Sequence, residues 1–160
     1  MVPAHAQAKF YVRAKEKEYA DELRDKVINC AKGAELMTGA KMTWSYFENS
    51  YDACRNNQDM VDALARNLDA IGFTDYNRAL KEPSGCSDLG NVANVAAMCY
   101  LSLGVGNTDG ASCHEEKYLQ YLDCPMTYEK LQIACKAMAY TALDVLLDTE
   151  LQGKIGIKNN

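Results

Sequence analysis

Histidine and the common catalytic motifs are nearly absent from this chain. The 160 residues include only two histidines, His5 and His114. No G-x-S-x-G nucleophile elbow, phosphate-binding P-loop or H-E-x-x-H metal motif occurs, and no G-x-G-x-x-G opens a helix. Each of these motifs places the reacting groups of one enzyme class. The sequence therefore offers little that could run a reaction unaided.

A surplus of basic charge and a long apolar run are also missing. The formal net charge is −5 with mixed charges along the chain, whereas a nucleic-acid-binding surface requires clustered Lys and Arg. The longest apolar stretch, Val92 to Leu103, is short of the roughly 20 residues that span a bilayer. The N-terminus has no charged segment followed by an apolar one, as a secretory signal would. We expect a cytoplasmic protein with no nucleic-acid or membrane partner.

Cysteine is abundant, but the spacing typical of disulfide frameworks or zinc sites is lacking. The chain has seven cysteines, an odd number, and no C-x-x-C pair. We expect reduced thiols that act mostly as small buried apolar groups, which again favours a reducing compartment.

Residues 1–55 show the pattern of a strand, a helix and a second strand. Apolar and polar side chains alternate over residues 8–13 and again over 41–46, as in half-buried strands. Between them, Glu16 to Met37 has helical periodicity, and Gly39 follows as a stop. This order predicts half of a small α+β unit, with too few strands to be stable alone.

Residues 56–160 show the pattern of the closing part of an α/β domain. A helix is predicted from an Asn56 or Asn57 cap to Ile71, with Met60, Leu64, Leu68 and Ile71 facing one way. A last helix is predicted from Thr127 to Leu147, with a buried stripe of Tyr128, Leu131, Cys135, Met138, Ala142 and Val145. The apolar run between them is bounded by Gly-rich turns and suits a strand buried on both faces. The predicted fold class is therefore α/β.

The Gly-rich stretch that ends at His114 is the best candidate for chemistry. Its sequence, GVGNTDGASCH, is followed by two glutamates. A neutral imidazole on such a loop, with carboxylates nearby, is a natural ligand for a divalent transition metal. A single histidine is weak evidence, and a surface histidine at the start of a helix is the alternative.

Four stretches together resemble a known family. They are VPAHAQAKFYVRA at the start, VINCAKGAELMTGAKMTW from Val27, GCSDLGNVANV from Gly85, and the CHEEKY segment that contains His114. In this order they resemble the C-terminal part of the aminoacylase/carboxypeptidase-type metallopeptidases, closest to the amidohydrolase branch with aminobenzoyl-glutamate hydrolases. The resemblance implies a partial lid (dimerisation) domain in residues 1–55 and the end of the catalytic domain in 56–160.

The resemblance also implies roles for particular residues. His114 takes the place of the family's late metal ligand, for zinc or manganese. Asp88 matches the aspartate of a Gly-Ser-Thr-Asp turn, where it shapes the substrate site or simply starts a helix. Arg13 could bind a substrate carboxylate from the lid, or be a solvated strand-end residue. His5 has no matching ligand in the family, and Cys113 stands where another residue is usual.

The implied reaction is hydrolysis of an amide bond of an N-acyl or aminobenzoyl amino acid by two divalent metal ions. The other ligands and the general base belong to the family's N-terminal half, as if translation began at an internal methionine or the gene had been split. We therefore expect no activity from this polypeptide alone. It could work with a separate N-terminal fragment, act as a non-catalytic module that forms homodimers through the lid, or be a truncated relic.

Overall fold

Helices are the only regular elements in residues 3–76, 87–107 and 109–156, which the computed structural model describes. They are α1 (Lys17–Thr38), α2 (Gln58–Ala70), α3 (Asp88–Ala93), a 3₁₀ helix (Glu116–Tyr121), α4 (Pro125–Leu147) and α5 (Thr149–Lys154). The three long helices that helical periodicity predicts are confirmed. The short helices α3 and α5 were not predicted.

Local chemistry explains where the helices begin and end. The Asn57 side chain accepts a hydrogen bond from the Met60 backbone N–H at 3.1 Å, which caps α2 as predicted. Pro125 occupies the first turn of α4, where a missing N–H costs nothing. Gly39 ends α1 in the left-handed conformation, with φ of 72°, and its N–H donates to Glu35 O.

The predicted α/β class is wrong for the described ranges, which contain no β-strand. Residues 8–13 contact Phe47 and Glu48, just beyond the second predicted strand, through side chains and form no backbone ladder. The Tyr11 hydroxyl donates to Glu48 at 2.8 Å, and the Tyr11 and Phe47 ring centroids lie 5.4 Å apart. Alternation marks two faces of a segment, but a strand also needs a neighbour that pairs with its backbone. Of the predicted strand–helix–strand unit only the helix, α1, is present, and the segments on either side of it are irregular.

The predicted doubly buried strand at 92–103 is also wrong. Its first residues belong to α3, and Val92, Val95 and Tyr100 are exposed. The glycine that opens the GCSDLGNVANV stretch and Cys86 lie outside the described residues. The division into residues 1–55 and 56–160 stays a prediction.

The core lies between α2 and α4. Its buried members are Leu64 and Leu68 of α2 and Ala137 of α4. Partly buried apolar side chains surround them: Ile71, Phe73, Tyr76, Cys99, Leu101 and Ile133. The prediction for α2 is confirmed at both leucines. For α4 it chose the wrong face, since Leu131 and Met138 are exposed and the buried positions are Ala137 and Thr141.

A polar cluster ties the same two helices together. The Asn67 side-chain amide of α2 donates to Thr141 Oγ1 at 3.1 Å and to Asp144 Oδ2 at 2.7 Å. The buried Thr141 hydroxyl in turn donates to Ala137 O at 2.8 Å. These bonds fix the register of α2 against α4, because they form only when the three side chains lie at one level.

Helix α3 packs directly on the backbone of residues 50–53. A Cβ added at the buried Gly90 would lie 1.9 Å from Asp52 O, so only glycine permits this approach. The Asn91 side chain accepts from the Asp52 N–H at 3.0 Å and donates to Ser50 O at 3.2 Å. Asn94 adds a bond to the Asp52 carboxylate at 2.6 Å. The G-N-V-A-N sequence thus holds the segment that precedes α2.

The cysteines in the described residues form no disulfide and are not buried. Cys30, Cys113 and Cys135 are exposed, while Cys54, Cys99 and Cys124 are half-buried. The prediction of free thiols is confirmed for these six, and the prediction of burial is wrong. The core is too small to enclose them.

None of the helices in the described ranges has both the length and the apolar character that a bilayer crossing requires.

We expect Asn67→Ala to lower the free energy of unfolding by about 1–2 kcal/mol, because Asp144 loses its amide partner at the α2–α4 contact. Urea denaturation followed by circular dichroism measures the change. The control is Asn29→Ala at an exposed position of α1, for which we expect a change within about 0.5 kcal/mol. Equal effects of the two substitutions would contradict the role assigned to Asn67.

We expect Gly90→Ala to destabilise the protein by about 1–3 kcal/mol, because the added methyl group forces α3 away from the Asp52 backbone. Gly33→Ala in α1 is the matched control, since a Cβ there has no neighbour within 4 Å. Alanine favours a helix interior over glycine by roughly 0.5–1 kcal/mol, so the control should be stabilised. Stabilisation by both substitutions would show that α3 does not pack on residues 50–53.

Candidate functional site

His114 lies on the loop that leads into the 3₁₀ helix, and its side chain is exposed. The chain turns at this point, with the Glu115 N–H donating to Ser112 O at 3.0 Å. Helix Glu116–Tyr121 begins directly after the turn. The imidazole is therefore presented at the surface by a short, sharply bent segment. Its exposure fits both the ligand role and the alternative of a surface histidine.

Two glycines and an asparagine shape the stretch before His114. Gly106 and Gly110 have φ of 82° and 72°, a backbone conformation that residues with a Cβ rarely adopt. A Cβ at Gly106 would also collide with the Met126 side chain in the first turn of α4. The Asn107 side-chain amide donates to Ala111 O at 2.7 Å, and Ala111 is buried. The two glycines thus allow the backbone conformation and the close approach to α4 that this loop requires.

Asp109 joins the two ends of this loop. Its carboxylate accepts the Ala111 N–H at 2.9 Å and the Gln120 side-chain amide at 3.3 Å, and the Tyr121 hydroxyl lies near enough to affect its pKa. The Ala111 N–H is the main cause that lowers the pKa of Asp109, with further contributions from Tyr121 and Lys117. The pKa of Tyr121 is raised, first by desolvation and then by Asp109.

The far end of the 3₁₀ helix is anchored to α4. The Thr127 hydroxyl donates to Tyr121 O, and the Cys124 thiol lies 3.4 Å from the same oxygen. Cys124 caps α4, and the Thr127 hydroxyl together with N–H groups of the first turn lowers the pKa of its thiol. The loop that contains His114 is therefore held at both ends.

Asp88 and Arg13 lie elsewhere in the structure. Asp88 is exposed in the first turn of α3, next to Ser87, whose Oγ accepts the Leu89 N–H at 3.2 Å. This place fits the alternative of an aspartate that starts a helix, where a negative charge is favourable. The exposed Arg13 guanidinium lies 5.6 Å from the Tyr11 ring centroid. His5 is exposed, as is Cys113 beside His114.

The two cavities with defined linings do not bring these residues together. One, of about 410 Å³, is lined mainly by charged residues of α2 and α5, among them Asp59, Asp62 and Lys154. The other, of about 400 Å³, lies between Arg55–Asn57 and residues 93–98. His114, Asp88 and Arg13 line neither of them. The structure therefore does not unite the predicted site residues in one cavity.

A complete metal site is not formed by the part of the chain that the structure describes. No three His, Cys, Asp or Glu side chains lie there in a group that could hold an ion, whereas catalytic sites need about three protein ligands. No catalytic step through a metal ion can be assigned to these residues alone.

Sequence reasoning found His114 but missed Asp109 and Tyr121. The Asp-Gly pair at 109–110 is a recognisable turn signal in which an aspartate bonds to the backbone two residues on. The bond from Gln120 and the approach of Tyr121 had no sequence signal, because these residues lie 11 and 12 positions from Asp109.

The chain is similar in sequence to two curated peptidases. It is 27% identical over 153 residues to the mouse Xaa-Arg dipeptidase and 26% identical over 153 residues to the human Xaa-Arg dipeptidase. Each match includes 94% of this chain but 35% of the relative, so the chain spans about a third of the length of the curated relatives it matches. No protein-family model matches it. No solved structure matches it. The similarity supports a hydrolase of the peptidase type and does not support the branch of the aminobenzoyl-glutamate hydrolases.

Proposed function

We propose that this chain is the C-terminal part of a metal-dependent peptidase, provides His114 as one metal ligand, and has no hydrolase activity by itself. The similarity to the two dipeptidases carries the proposal, because it runs over 94% of the chain. About two-thirds of each relative lies outside the match, which leaves room for the other ligands and the general base.

The proposed substrate is a small molecule with an amide bond to an amino acid, such as a dipeptide or an N-acyl amino acid. The names of the relatives make a dipeptide with C-terminal arginine the first substrate to test. The proposed metal is zinc or manganese, and the proposed partner is an N-terminal peptidase fragment. In such an assembly the exposed His114 imidazole would be open to an ion held by the partner's side chains.

Arg13 and Asp88 have weaker proposed roles. The Arg13 guanidinium is exposed and stacked near Tyr11, where it could form a bidentate pair with a substrate carboxylate. Asp88 would support the substrate end of the site from the first turn of α3.

We expect hydrolysis of a dipeptide ending in arginine only when this chain is co-expressed with the N-terminal two-thirds of the mouse relative and supplied with zinc or manganese. His114→Ala should abolish that activity, because metal-site geometry depends on each protein ligand. Release of free arginine measures the reaction.

The matched control is His5→Ala, which removes the other histidine and should leave the activity unchanged. Hydrolysis by the chain alone would overturn the proposal that other ligands are needed. Full activity of the His114→Ala assembly would overturn the ligand role.

A second candidate function is a non-catalytic module that forms homodimers. We define the aromatic surface as Phe10, Trp44 and Phe47, whose side chains are 66%, 53% and 43% exposed. These residues flank α1, a 22-residue helix in which no residue is buried. Large exposed apolar side chains, when they share one surface, commonly mark an interaction site. This observation favours self-association through the N-terminal segment.

We expect the wild-type chain to form a dimer at micromolar concentration, and Trp44→Ser to shift it to a monomer by removing the largest side chain of the aromatic surface. Sedimentation velocity measures the shift. Trp44 is the only tryptophan, so its fluorescence should also move to shorter wavelength as the concentration rises. Tyr100→Ser, at an exposed aromatic outside this surface, is the control. A wild-type monomer throughout would exclude this function.

A further inference from the structure

The loop of residues 106–121, called here the His114 loop, is closed by one carboxylate. Asp109 accepts the Ala111 N–H on one side and the Gln120 side-chain amide on the other, and the Tyr121 hydroxyl lies near the same carboxylate. His114 lies between these two groups of partners along the chain. A side chain that joins both ends of a loop limits the path of every residue between them.

The other contacts of the His114 loop support the same arrangement. Asn107 bonds to Ala111 O at 2.7 Å, so the Ala111 backbone is held at both its N–H and its carbonyl. The Tyr121 carbonyl accepts the Thr127 hydroxyl of α4, so the far end of the loop is attached to the longest helix. His114, in the middle of the loop, is exposed, and the turn beside it is formed by the bond from the Glu115 N–H to Ser112 O.

We propose that Asp109 is a positioning residue that holds the His114 loop in the conformation from which the imidazole is presented. The carboxylate acts through the loop backbone and does not touch the reacting atoms. The expected effect of Asp109 on hydrolysis rests on the proposed function, whereas its effect on the conformation of the His114 loop does not. An ionised carboxylate suits the task, because it accepts several hydrogen bonds at once and charged acceptors form the stronger ones.

The residues allow alternatives that would weaken the assignment. If the Asn107 bond and the two glycines alone determined the loop, Asp109 could be replaced without effect. The partners of the Asp109 carboxylate argue against this, since Gln120 is bonded to the start of the loop through Asp109 and the Tyr121 hydroxyl lies near the same carboxylate. Loss of the carboxylate therefore separates the two ends of the loop.

The first test is nuclear magnetic resonance of the histidine Cε1–H groups in the purified chain. Only two signals exist, from His5 and His114, and His114→Ala identifies them. We expect Asp109→Ala to shift and broaden the His114 signal, to leave the His5 signal in place, and to speed hydrogen exchange of the Ala111 amide by about tenfold or more. Exchange at α2 and α4 should stay unchanged, which a general loss of structure would not allow.

Two further variants keep the test decisive. Tyr121→Phe removes one partner of Asp109 but keeps the ring, and should broaden the His114 signal less than Asp109→Ala does. Asp123→Ala is the matched control, because Asp123 accepts the Tyr128 hydroxyl of α4 at 2.7 Å and lies outside residues 106–121. It should move neither signal. An unchanged His114 signal in Asp109→Ala would overturn the inference.

The second test is hydrolysis by the assembly with the N-terminal fragment. We expect Asp109→Ala to lower kcat by about tenfold to a hundredfold, since small displacements of a catalytic group have effects of this size, while KM changes little. Asp109→Asn, which keeps an acceptor for Ala111, should recover part of the rate. Loss of activity in His114→Ala with full activity in Asp109→Ala would overturn this inference alone. Full activity in His114→Ala would overturn the proposed function, and the resonance experiment would still decide the role of Asp109.

Discussion

The contact between α2 and α4 is the one on which the rest of the helical arrangement depends. Ala137 has no exposed surface, and it lies where Leu64 and Leu68 meet α4. A small residue at this position lets the two helices approach closely, and the adjacent bonds of Asn67 prevent them from sliding. Close packing supplies attraction in all directions, whereas the hydrogen bonds select one register.

Other elements attach to this pair through few contacts each. Helix α5 follows α4 after Asp148, which ends one helix and caps the next by accepting the N–H groups of Glu150 and Leu151. The Gln152 side chain bonds back to the last carbonyls of α4, at Val145 and Leu146. Because α4 also anchors the 3₁₀ helix, a displacement of α4 would reach the His114 loop. The candidate site and the small core therefore share one support.

The large exposed apolar surface bears on both candidate functions. Helix α1 buries no residue, and much of α4 outside Ala137 and Thr141 is exposed. A peptidase that includes this chain as about a third of its length would offer surface to cover these side chains, and so would a second copy. The two candidates differ in which surface is covered. An N-terminal fragment must reach the His114 loop, whereas dimer formation needs only the aromatic surface beside α1.

The sequence by itself determined the three long helices, their caps and the residue on which the proposed chemistry rests. Periodicity, Asn57 and Gly39 act within a few positions of each other, so their effects can be read without knowing the fold. The similarity of the CHEEKY segment to a metallopeptidase motif singled out His114 in the same way. The peptidase-type similarity agrees with that reading at the level of the family, while the ligand role stays a prediction.

Only the tertiary structure decided which segments are paired, which faces are buried and what holds His114. Alternation at 8–13 and 41–46 indicated strands, but strand formation depends on a partner distant in sequence, and here Tyr11 of the first segment contacts Phe47, just beyond the second. The large apolar residues of α4 suggested the wrong buried face, since close helix approach favoured Ala137 and Thr141. Asp109 bonds to Gln120, 11 positions away, and such contacts form only once the chain has folded.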